Sequence, residues 1–209
     1  MKKLPVAREG WPFVLVPGLM AALLTLRGRS RLALPFAAAS LASLGFFRDP
    51  ERVTPVSPHG VIAPADGRVT IVDEQDDSFV GPATRVSIFL SPFDVHVTRS
   101  PIPGLVVGTV YTSGRFLPAY RPEAGEVNER CALHIEGAGI RVTVVQIAGV
   151  AARRVVCRVG AGDKLEAGER FGIIRFGSRT DCYMPRGTQV LVQPGDRVVG
   201  GETVIGMSA

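Results

Sequence analysis

The sequence Gly172-Ile173-Ile174-Arg175-Phe176-Gly177-Ser178-Arg179-Thr180-Asp181-Cys182-Tyr183-Met184-Pro185 decides how the rest of the chain is arranged. An apolar run with the pattern of a strand ends at the pair Gly177-Ser178, and a second short run follows at residues 182–184. Because Gly and Ser are favoured in turns, this pair by itself is typical of a turn between two strands. A chemical interpretation competes with it: Gly177 leaves its carbonyl open to close approach, and Ser178 places a hydroxyl beside that carbonyl.

Short strand patterns separated by Gly and Pro fill the chain after residue 53. The runs lie at residues 68–72, 85–90, 105–111, 132–135, 140–144, 154–159 and 189–192. Alternation of apolar and polar residues is typical of half-buried strands, and this region contains no long amphipathic helix pattern. The sequence therefore predicts a mainly β domain, built as a β-sandwich or a barrel-like pair of packed sheets.

An internal repeat relates residues 159–171 to residues 192–204. Both copies contain the pattern Gly-Asp-basic-apolar-x-x-Gly-Glu, which predicts a tight turn, a short strand and a second turn. Such units resemble the β-hammerheads of lipoyl- and biotinyl-type carrier domains. A carrier domain would present a modifiable lysine in a Met-Lys-Met hairpin, but Lys164 is the only lysine after Lys3. We therefore interpret the repeat as scaffold.

The positive charge of the chain is concentrated near its start. The net charge is +5, and residues 1–52 contain eight Lys or Arg against three acidic residues, so residues 53–209 are neutral overall. A nucleic-acid groove in the main domain is therefore not expected. A basic and apolar N-terminal segment instead suits an anionic lipid surface.

Two apolar runs, residues 11–26 and 32–47, flank an arginine-rich stretch at residues 27–31. Runs of this length are short for spanning helices. We interpret residues 1–52 as a membrane-associating helical hairpin and linker, with Trp11, Phe46 and Phe47 as anchors at the membrane interface. A cleaved signal peptide and a buried globular hairpin are the alternatives. Residues 53–209 form the second domain.

The candidates for acid–base chemistry are few. His96 lies in a segment that mixes Pro, Asp and Arg at the end of an apolar strand, which suits an acid–base histidine. Asp66 lies in Pro-Ala-Asp-Gly, which is typical of a turn, although a carboxylate there could also orient a histidine. His59 lies in a Pro-flanked loop, and His134 falls in a strand pattern that favours a packed or surface histidine.

The three cysteines, Cys131, Cys157 and Cys182, show no spacing typical of a metal site. An odd number of cysteines without a Cys-x-x-Cys pair indicates free thiols in a reducing compartment. No metal, nucleotide-binding loop or nucleic-acid motif is predicted.

Four motifs occur together and in one order. They are Pro64-Ala65-Asp66-Gly67, Phe89-Leu90-Ser91-Pro92-Phe93-Asp94-Val95-His96, Gly168-Glu169-Arg170-Phe171-Gly172 and Arg175-Phe176-Gly177-Ser178-Arg179. With these motifs the chain resembles the phosphatidylserine decarboxylase family, and in particular its short, archaeal-type proenzymes. The resemblance covers essentially all of residues 50–209 and includes the apolar N-terminal pair of runs.

The resemblance implies a pyruvoyl enzyme that processes itself. Ser178 would attack the Gly177 carbonyl in an N→O acyl shift, and elimination followed by hydrolysis would convert Ser178 into a pyruvoyl cofactor. The products would be a β chain, 1–177, and an α chain, 178–209, which form a heterodimer or a higher oligomer. We expected pairing of the two repeat copies to hold these chains together. The pyruvoyl ketone would form a Schiff base with the substrate amine, and Asp66, His96 and Ser178 are the catalytic residues implied.

One position departs from the longer members of the family. Those members have a second histidine three residues after the first, and it is assigned to self-cleavage, whereas here that position is Arg99. A guanidinium stays protonated and cannot act as a base near neutral pH. We therefore expect His96 to serve both cleavage and decarboxylation, with Asp66 nearby and with His59 or His134 as weaker substitutes.

The function that the resemblance implies is conversion of phosphatidylserine to phosphatidylethanolamine and CO2 in phospholipid biosynthesis. The expected location is the cell membrane, with the catalytic domain on the cytoplasmic side, and the expected partners are phosphatidylserine and membrane lipid. Two alternatives stay open at this point. One is a pyruvoyl decarboxylase for another serine phospholipid or a soluble amino acid, and the other is a non-enzymatic, membrane-anchored β-hammerhead module.

Overall fold

The structure of the chain is a computed structural model. It describes residues 5–57, 59–121, 123–137, 139–150, 154–175 and 178–208. Gly177, one half of the predicted cleavage site, lies outside the described residues, and for Ser178 only the backbone is described. The chain divides into two compact units, Met1–Glu51 and Arg52–Ala209.

The first unit contains a short 3-10 turn, Arg8–Gly10, followed by two helices, α1 at Trp11–Leu26 and α2 at Ser30–Phe46. Pro12 lies in the first turn of α1, where a missing backbone N–H is tolerated. The Ser40 hydroxyl donates a hydrogen bond of 2.8 Å to the Val14 carbonyl, which holds the two helices together. The prediction of N-terminal apolar helices is confirmed.

The aromatic residues at the end of α2 lie inside the first unit. Phe47 is completely buried, and its ring stacks on Phe13 with the centroids 5.4 Å apart. Phe46 is also buried and meets Phe47 edge-on at 5.0 Å. Phe47 therefore packs on Phe13 and Phe46 packs on Phe47, and a role of Trp11, Phe46 and Phe47 as interface anchors stays a prediction.

The second unit is built almost entirely of strands. They are β1 Gly60–Ile62, β2 Gly67–Asp77, β3 Gly81–Leu90, β4 Val97–Arg99, β5 Gly104–Thr112, β6 Arg130–Gly137, β7 Ile140–Ala148, β8 Val155–Cys157, β9 Lys164–Leu165, β10 Arg170–Ile174, β11 Ser178–Pro185, β12 Gln189–Val190, β13 Arg197–Val198 and β14 Val204–Met207, with one short helix, α3, at Ala124–Val127. The predicted mainly β fold is confirmed.

The strands form one large sheet and two small ones. The large sheet has the order β13-β2-β3-β11-β7-β6-β5-β9, and the small sheets have the orders β1-β14-β12 and β4-β10-β8. All recorded pairings are antiparallel. Side chains from all three sheets, among them Val61, Val144 and Phe171, meet in one buried cluster. The three sheets therefore share a single hydrophobic core.

The two repeat copies have the same local structure. The Asp163 carboxylate accepts the backbone N–H of Gly160 at 2.9 Å, and the Asp196 carboxylate accepts that of Gln193 at 2.9 Å. Each turn also contains a left-handed glycine, Gly162 or Gly195. The predicted order of turn, short strand and turn is confirmed, since β9 and β13 follow these two turns.

The repeat copies do not pair with each other, so that expectation is wrong. β9 pairs with β5 at one edge of the large sheet, and β13 pairs with β2 at the opposite edge. The segment after residue 177 is instead held by β11, which lies between β3 and β7 in the middle of the sheet. Two complete hydrogen-bond ladders are a stronger attachment than contact between two turns.

Candidate active site

Residue 178 lies at the start of a central strand. In the register of β11, Ser178 is opposite Leu90 of β3 on one side and opposite Ala148 of β7 on the other. The end of β10 is close in sequence, because Ile174 is its last residue. The predicted cleavage site therefore connects a strand of a small sheet to the centre of the large sheet.

The segment from Leu90 to His96 is bonded at one end to β11 and at the other end to β10. Leu90 is the neighbour of residue 178 in the sheet, and the His96 carbonyl accepts the backbone N–H of Ile174 at 3.1 Å. Both ends of the segment are thus fixed to the backbone on either side of residues 175–177. That the side chain of His96 reaches the predicted cleavage site stays a prediction.

Asp94 fixes the shape of that segment. Its carboxylate accepts the backbone N–H of Ser91 at 2.8 Å and the Ser91 hydroxyl at 2.7 Å. Its second oxygen accepts Arg197 Nη2 at 2.6 Å. Because Arg197 belongs to the segment after residue 178, this ion pair connects the two sides of the predicted cleavage site.

His96 is completely buried, and its ring orientation is set by the backbone. Nδ1 lies 2.9 Å from the Asp94 carbonyl oxygen. A carbonyl only accepts hydrogen bonds, so Nδ1 carries the proton, and Nε2 is the basic nitrogen of the neutral ring. The imidazole is therefore arranged so that Nε2 can take up or deliver a proton.

Asp66 lies between β1 and β2, and its contacts differ from those of an orienting carboxylate alone. Arg52 Nη2 donates to Asp66 Oδ2 at 2.8 Å, and the Gly200 N–H donates to Oδ1 at 2.8 Å. The next residue, Gly67, begins β2 and packs against the Phe89 carbonyl, so Asp66 is at the same end of the sheet as residue 178. That Asp66 assists His96 stays a prediction.

Arg99 is buried beneath the repeat turns. Arg99 Nη1 donates to the Gly168 carbonyl at 3.0 Å, and its side chain lies against Gly201, the residue that corresponds to Gly168 in the second repeat copy. A permanently charged guanidinium in this place joins the two repeat turns and supplies no base.

The two other histidines have different surroundings. His59 is exposed, and its carbonyl accepts the Ser208 N–H at 2.9 Å. His134 Nδ1 lies 3.1 Å from the Thr143 hydroxyl, and its ring packs against Phe79 at 4.8 Å. Burial lowers the pKa of His134, so this ring is neutral at physiological pH. The packed environment predicted for His134 is confirmed.

A buried ion pair follows residue 178 directly, and no motif indicated it. Arg179 Nε and Nη2 donate to the two Asp181 oxygens, each at 2.6 Å, and both side chains are only 1% exposed. Asn128 was missed as well. Its side-chain amide donates to the Ala148 carbonyl at 2.7 Å and so holds the strand that pairs with residue 178. The Asn128 contact joins separate elements of the chain, and the burial of the Arg179–Asp181 pair depends on the packing around β11, so sequence spacing reveals neither.

Three buried polar residues line the inner side of the same region. Gln146 Nε2 donates to the Thr98 hydroxyl at 2.8 Å. Gln146 and Thr180 are direct neighbours in the β7–β11 register, and both are completely buried. A polar group so close to the hydrophobic core is costly unless it is hydrogen-bonded, so this cluster has to serve the site or the fold.

Comparisons with known proteins identify the family. A family model described as Phosphatidylserine decarboxylase matches residues 41–206. The phosphatidylserine decarboxylase proenzyme of Symbiobacterium thermophilum is 50% identical, over 99% of this chain and 97% of its own length. Proenzymes of the same name from Geobacter metallireducens and Nitrosomonas europaea are 45% and 46% identical, over 97% and 96% of this chain and 96% and 94% of their own lengths. The chain belongs to the phosphatidylserine decarboxylase family.

Proposed function

We propose that this chain is a self-processing decarboxylase that converts phosphatidylserine to phosphatidylethanolamine and CO2 in phospholipid synthesis. Family membership supports the reaction. The observation that carries the proposal is the placement of the segment that contains His96. The His96 carbonyl accepts a hydrogen bond from the Ile174 N–H, and Leu90, at the start of the same segment, pairs with residue 178. Assignment to the short archaeal-type subfamily stays a prediction.

The residues around position 178 fit a pyruvoyl group made from Ser178. Buried polar atoms of Gln146 and Thr180 lie two residues along the paired strands, which suits a carbonyl in an otherwise apolar core. When present, the pyruvoyl ketone supplies the electron sink that lets the substrate carboxylate leave as CO2.

In the proposed maturation, the Ser178 oxygen bonds to the Gly177 carbonyl carbon while the bond from that carbon to the Ser178 nitrogen breaks. His96 Nε2 takes the hydroxyl proton and returns it to the nitrogen, which the Nδ1 bond to Asp94 permits. Elimination then breaks the Cα–H and Cβ–O bonds of residue 178 and releases Gly177 as a carboxylate. A proton returns to Cβ and completes a methyl group, and water replaces the nitrogen of residue 178, which leaves as ammonia.

The two resulting chains, 1–177 and 178–209, stay associated as a heterodimer in this proposal. β11 keeps its ladders to β3 and β7, and β14 keeps its pairing with β1. The Arg197–Asp94 ion pair also joins the two chains. After loss of CO2 from the substrate, the protonated form of His96 delivers a proton to the carbon that lost it.

The first unit associates with the cell membrane in this proposal, and the second unit faces the cytoplasm. Arg8–Leu26 is long and apolar enough to cross a membrane, with a mean hydropathy of 1.5. Leu19 and Leu26 are 70% and 85% exposed, which is unusual for apolar side chains of a soluble helix pair. A lipid environment would cover them, and Arg27 and Arg29 would then meet anionic headgroups.

Intact mass analysis of the purified protein tests the enzymatic proposal. We expect two chains, 1–177 and 178–209, the smaller one lighter by one ammonia than the same peptide with an N-terminal serine. Ser178→Ala should stay a single chain and release no CO2 from phosphatidylserine vesicles. A wild-type chain that stays uncut and inert would favour the adaptor alternative, and release of CO2 from free serine alone would favour a soluble substrate.

Vesicle flotation tests the membrane proposal. Replacing Leu19 and Leu26 by Asn should reduce the fraction that floats with phosphatidylserine vesicles several-fold. Val56→Asn is the matched control, because Val56 is 99% exposed but lies outside the helices. Equal flotation of all three proteins would contradict a role for the hairpin.

A further inference from the structure

Two buried polar atoms near position 178 lack a hydrogen-bond partner among the described residues. They are the amide oxygen of Gln146 and the hydroxyl of Thr180, and both side chains are completely buried. Leaving such an atom unsatisfied inside a protein destabilises the fold. A fold that keeps two of them side by side is expected to use them.

The strand register places both residues next to the predicted cleavage site. Thr180 is two positions after residue 178 in β11, and Gln146 is two positions before Ala148 in β7. Residues two positions apart in a strand share a face of the sheet. Thr180 and Gln146 therefore stand on the face that positions 178 and 148 share.

The orientation of Gln146 is fixed from the other side. Its Nε2 donates to the Thr98 hydroxyl, so the amide oxygen is the group left to accept a further bond. Gly172 makes room for this contact, since a Cβ there would lie 2.7 Å from Gln146 Nε2 and 3.0 Å from Thr98 Oγ1. Thr98 itself is two residues after His96. The cluster thus includes a residue of β4, the strand that directly follows the proposed base.

We propose that Thr180 and Gln146 contact the reacting groups during self-cleavage, an inference that rests on the proposed function. As the Ser178 oxygen attacks, the electron pair of the Gly177 carbonyl moves onto its oxygen, and the Thr180 hydroxyl donates to that oxyanion. The nitrogen of residue 178 becomes an amine as its bond to Gly177 breaks. The Gln146 amide oxygen accepts one of its N–H groups. One donor and one acceptor thus match the two groups that change in this step.

Pulse-labelled synthesis in a cell-free system, followed by gel electrophoresis and intact mass, measures the cleavage rate directly. Thr180→Val keeps the shape of the side chain but removes the donor, and we expect cleavage to slow about 100-fold, as for loss of one oxyanion donor. Thr180→Ser keeps the hydroxyl and should cleave within about threefold of wild type. Gln146→Met should slow cleavage about tenfold, the effect of losing one hydrogen bond.

Ser87→Ala is the matched control. Ser87 is also completely buried with an unpartnered hydroxyl, but it pairs with Asp181, three positions along β11 from residue 178. Its loss should leave the cleavage rate unchanged. Thermal unfolding separates packing from chemistry, because a packing role predicts that Thr180→Ser harms the protein more than Thr180→Val, the reverse of the order expected for cleavage.

The outcomes are distinguishable. A wild-type chain that never cleaves overturns the proposed function itself. A wild type that cleaves, with Thr180→Val and Gln146→Met cleaving equally fast, overturns this inference alone. Should Thr180→Val fail to fold, Thr180→Ala removes the same hydroxyl with less bulk, and normal cleavage by that variant would equally contradict the role of Thr180.

Discussion

The large sheet consists of two halves that are built alike but end differently. The first half is β13-β2-β3-β11, and the second is β9-β5-β6-β7. Their registers correspond: Gly67 is opposite Val198 and Arg68 opposite Phe89 in the first half, as Gly104 is opposite Leu165 and Leu105 opposite Glu136 in the second. Even the bulges fall at equivalent places, after Val69 and after Val106.

The difference lies at one junction. In the second half, Gly137 pairs with Ile140, so β6 and β7 are the two strands of a hairpin. In the first half, the corresponding pair is Leu90 and Ser178, whose strands come from distant parts of the chain. The predicted cleavage site therefore occupies the place of a hairpin turn. Ladders on both sides already hold these strands, so cutting the chain here leaves the sheet intact.

The comparison extends to the histidines. The His59 carbonyl accepts the Ser208 N–H at 2.9 Å, just as the His96 carbonyl accepts the Ile174 N–H at 3.1 Å. His59 is exposed, whereas His96 is completely buried. The same backbone position thus carries a surface residue in one half and the proposed base in the other.

Replacing each of the two histidines by alanine should give the largest difference in the rate of self-cleavage. His96→Ala is expected to slow self-cleavage about 10²–10⁴-fold, the usual contribution of general acid–base catalysis. His59→Ala, the control from the equivalent position, should cleave at the wild-type rate. The rate of appearance of residues 178–209 on gels measures both. Full-rate cleavage by His96→Ala would remove His96 from maturation, and normal decarboxylation as well would remove it from the site.

The arginines at equivalent positions provide a second test. Arg179 pairs with Asp181 in the interior, whereas Arg141 pairs with Glu136 at 2.9 Å on the surface, with side chains 55% and 47% exposed. Asp181→Asn leaves a buried guanidinium without its partner charge and should lower the free energy of unfolding by about 3–5 kcal/mol.

Glu136→Gln should cost less than about 1 kcal/mol, because exposed pairs are screened by solvent. Urea unfolding of both variants in a Ser178→Ala chain keeps the number of chains constant. Equal losses of stability for the two variants would show that burial does not distinguish the halves.

The smallest expected effect is a change in the pH dependence of alkylation at the Cys157 thiol. Cys157 is opposite Gly172 in β8–β10, and the equivalent residue opposite Gly206 is Val190. Interaction with the Cys131 thiol lowers the pKa of Cys157 to about 7, although burial opposes this shift. Because the thiolate is the reactive form, alkylation of Cys157 should accelerate between about pH 6 and about pH 8 and then level off.

Peptide mapping after iodoacetamide treatment measures this pH dependence. Cys182 is the internal control, since burial raises the pKa of its thiol and should keep it unreactive. Cys131→Ala should move the Cys157 midpoint to higher pH, and Cys157→Val, which copies the other half, should fold normally. If the pH midpoint for Cys157 alkylation did not respond to Cys131→Ala, that result would contradict the influence of the Cys131 thiol on the pKa of Cys157.

Much of the fold was predictable because it depends on local patterns. Alternation identified the strand regions, and the Gly-Asp repeats predicted two turns of the same shape, which the bonds to Asp163 and Asp196 confirm. The pairing of those turns was predicted wrongly. Equal local sequences fix equal conformations, but they do not state which strand each copy will meet.

The residues of the candidate site also fall into those that the sequence could predict and those that it could not. The motif around Gly177 and Ser178 and the histidine at position 96 could be named from residue type and order. The Asn128–Ala148 and Gln146–Thr98 contacts could not, because only the folded sheet brings those residues within bonding distance. Arg179 and Asp181 are close in sequence, but their burial could not be predicted from spacing either.

The sequence by itself determined the two apolar helices, the β-rich second unit, the twin turns and the candidate residues for the chemistry. These follow from side-chain size, polarity and spacing, which act over a few residues. The tertiary structure alone decided that residue 178 stands where the other half has a hairpin turn, and that the backbone of His96 is hydrogen-bonded to Ile174 at the end of β10. Those facts depend on strand order in the sheet, which is set by burial of one shared core rather than by any local stretch.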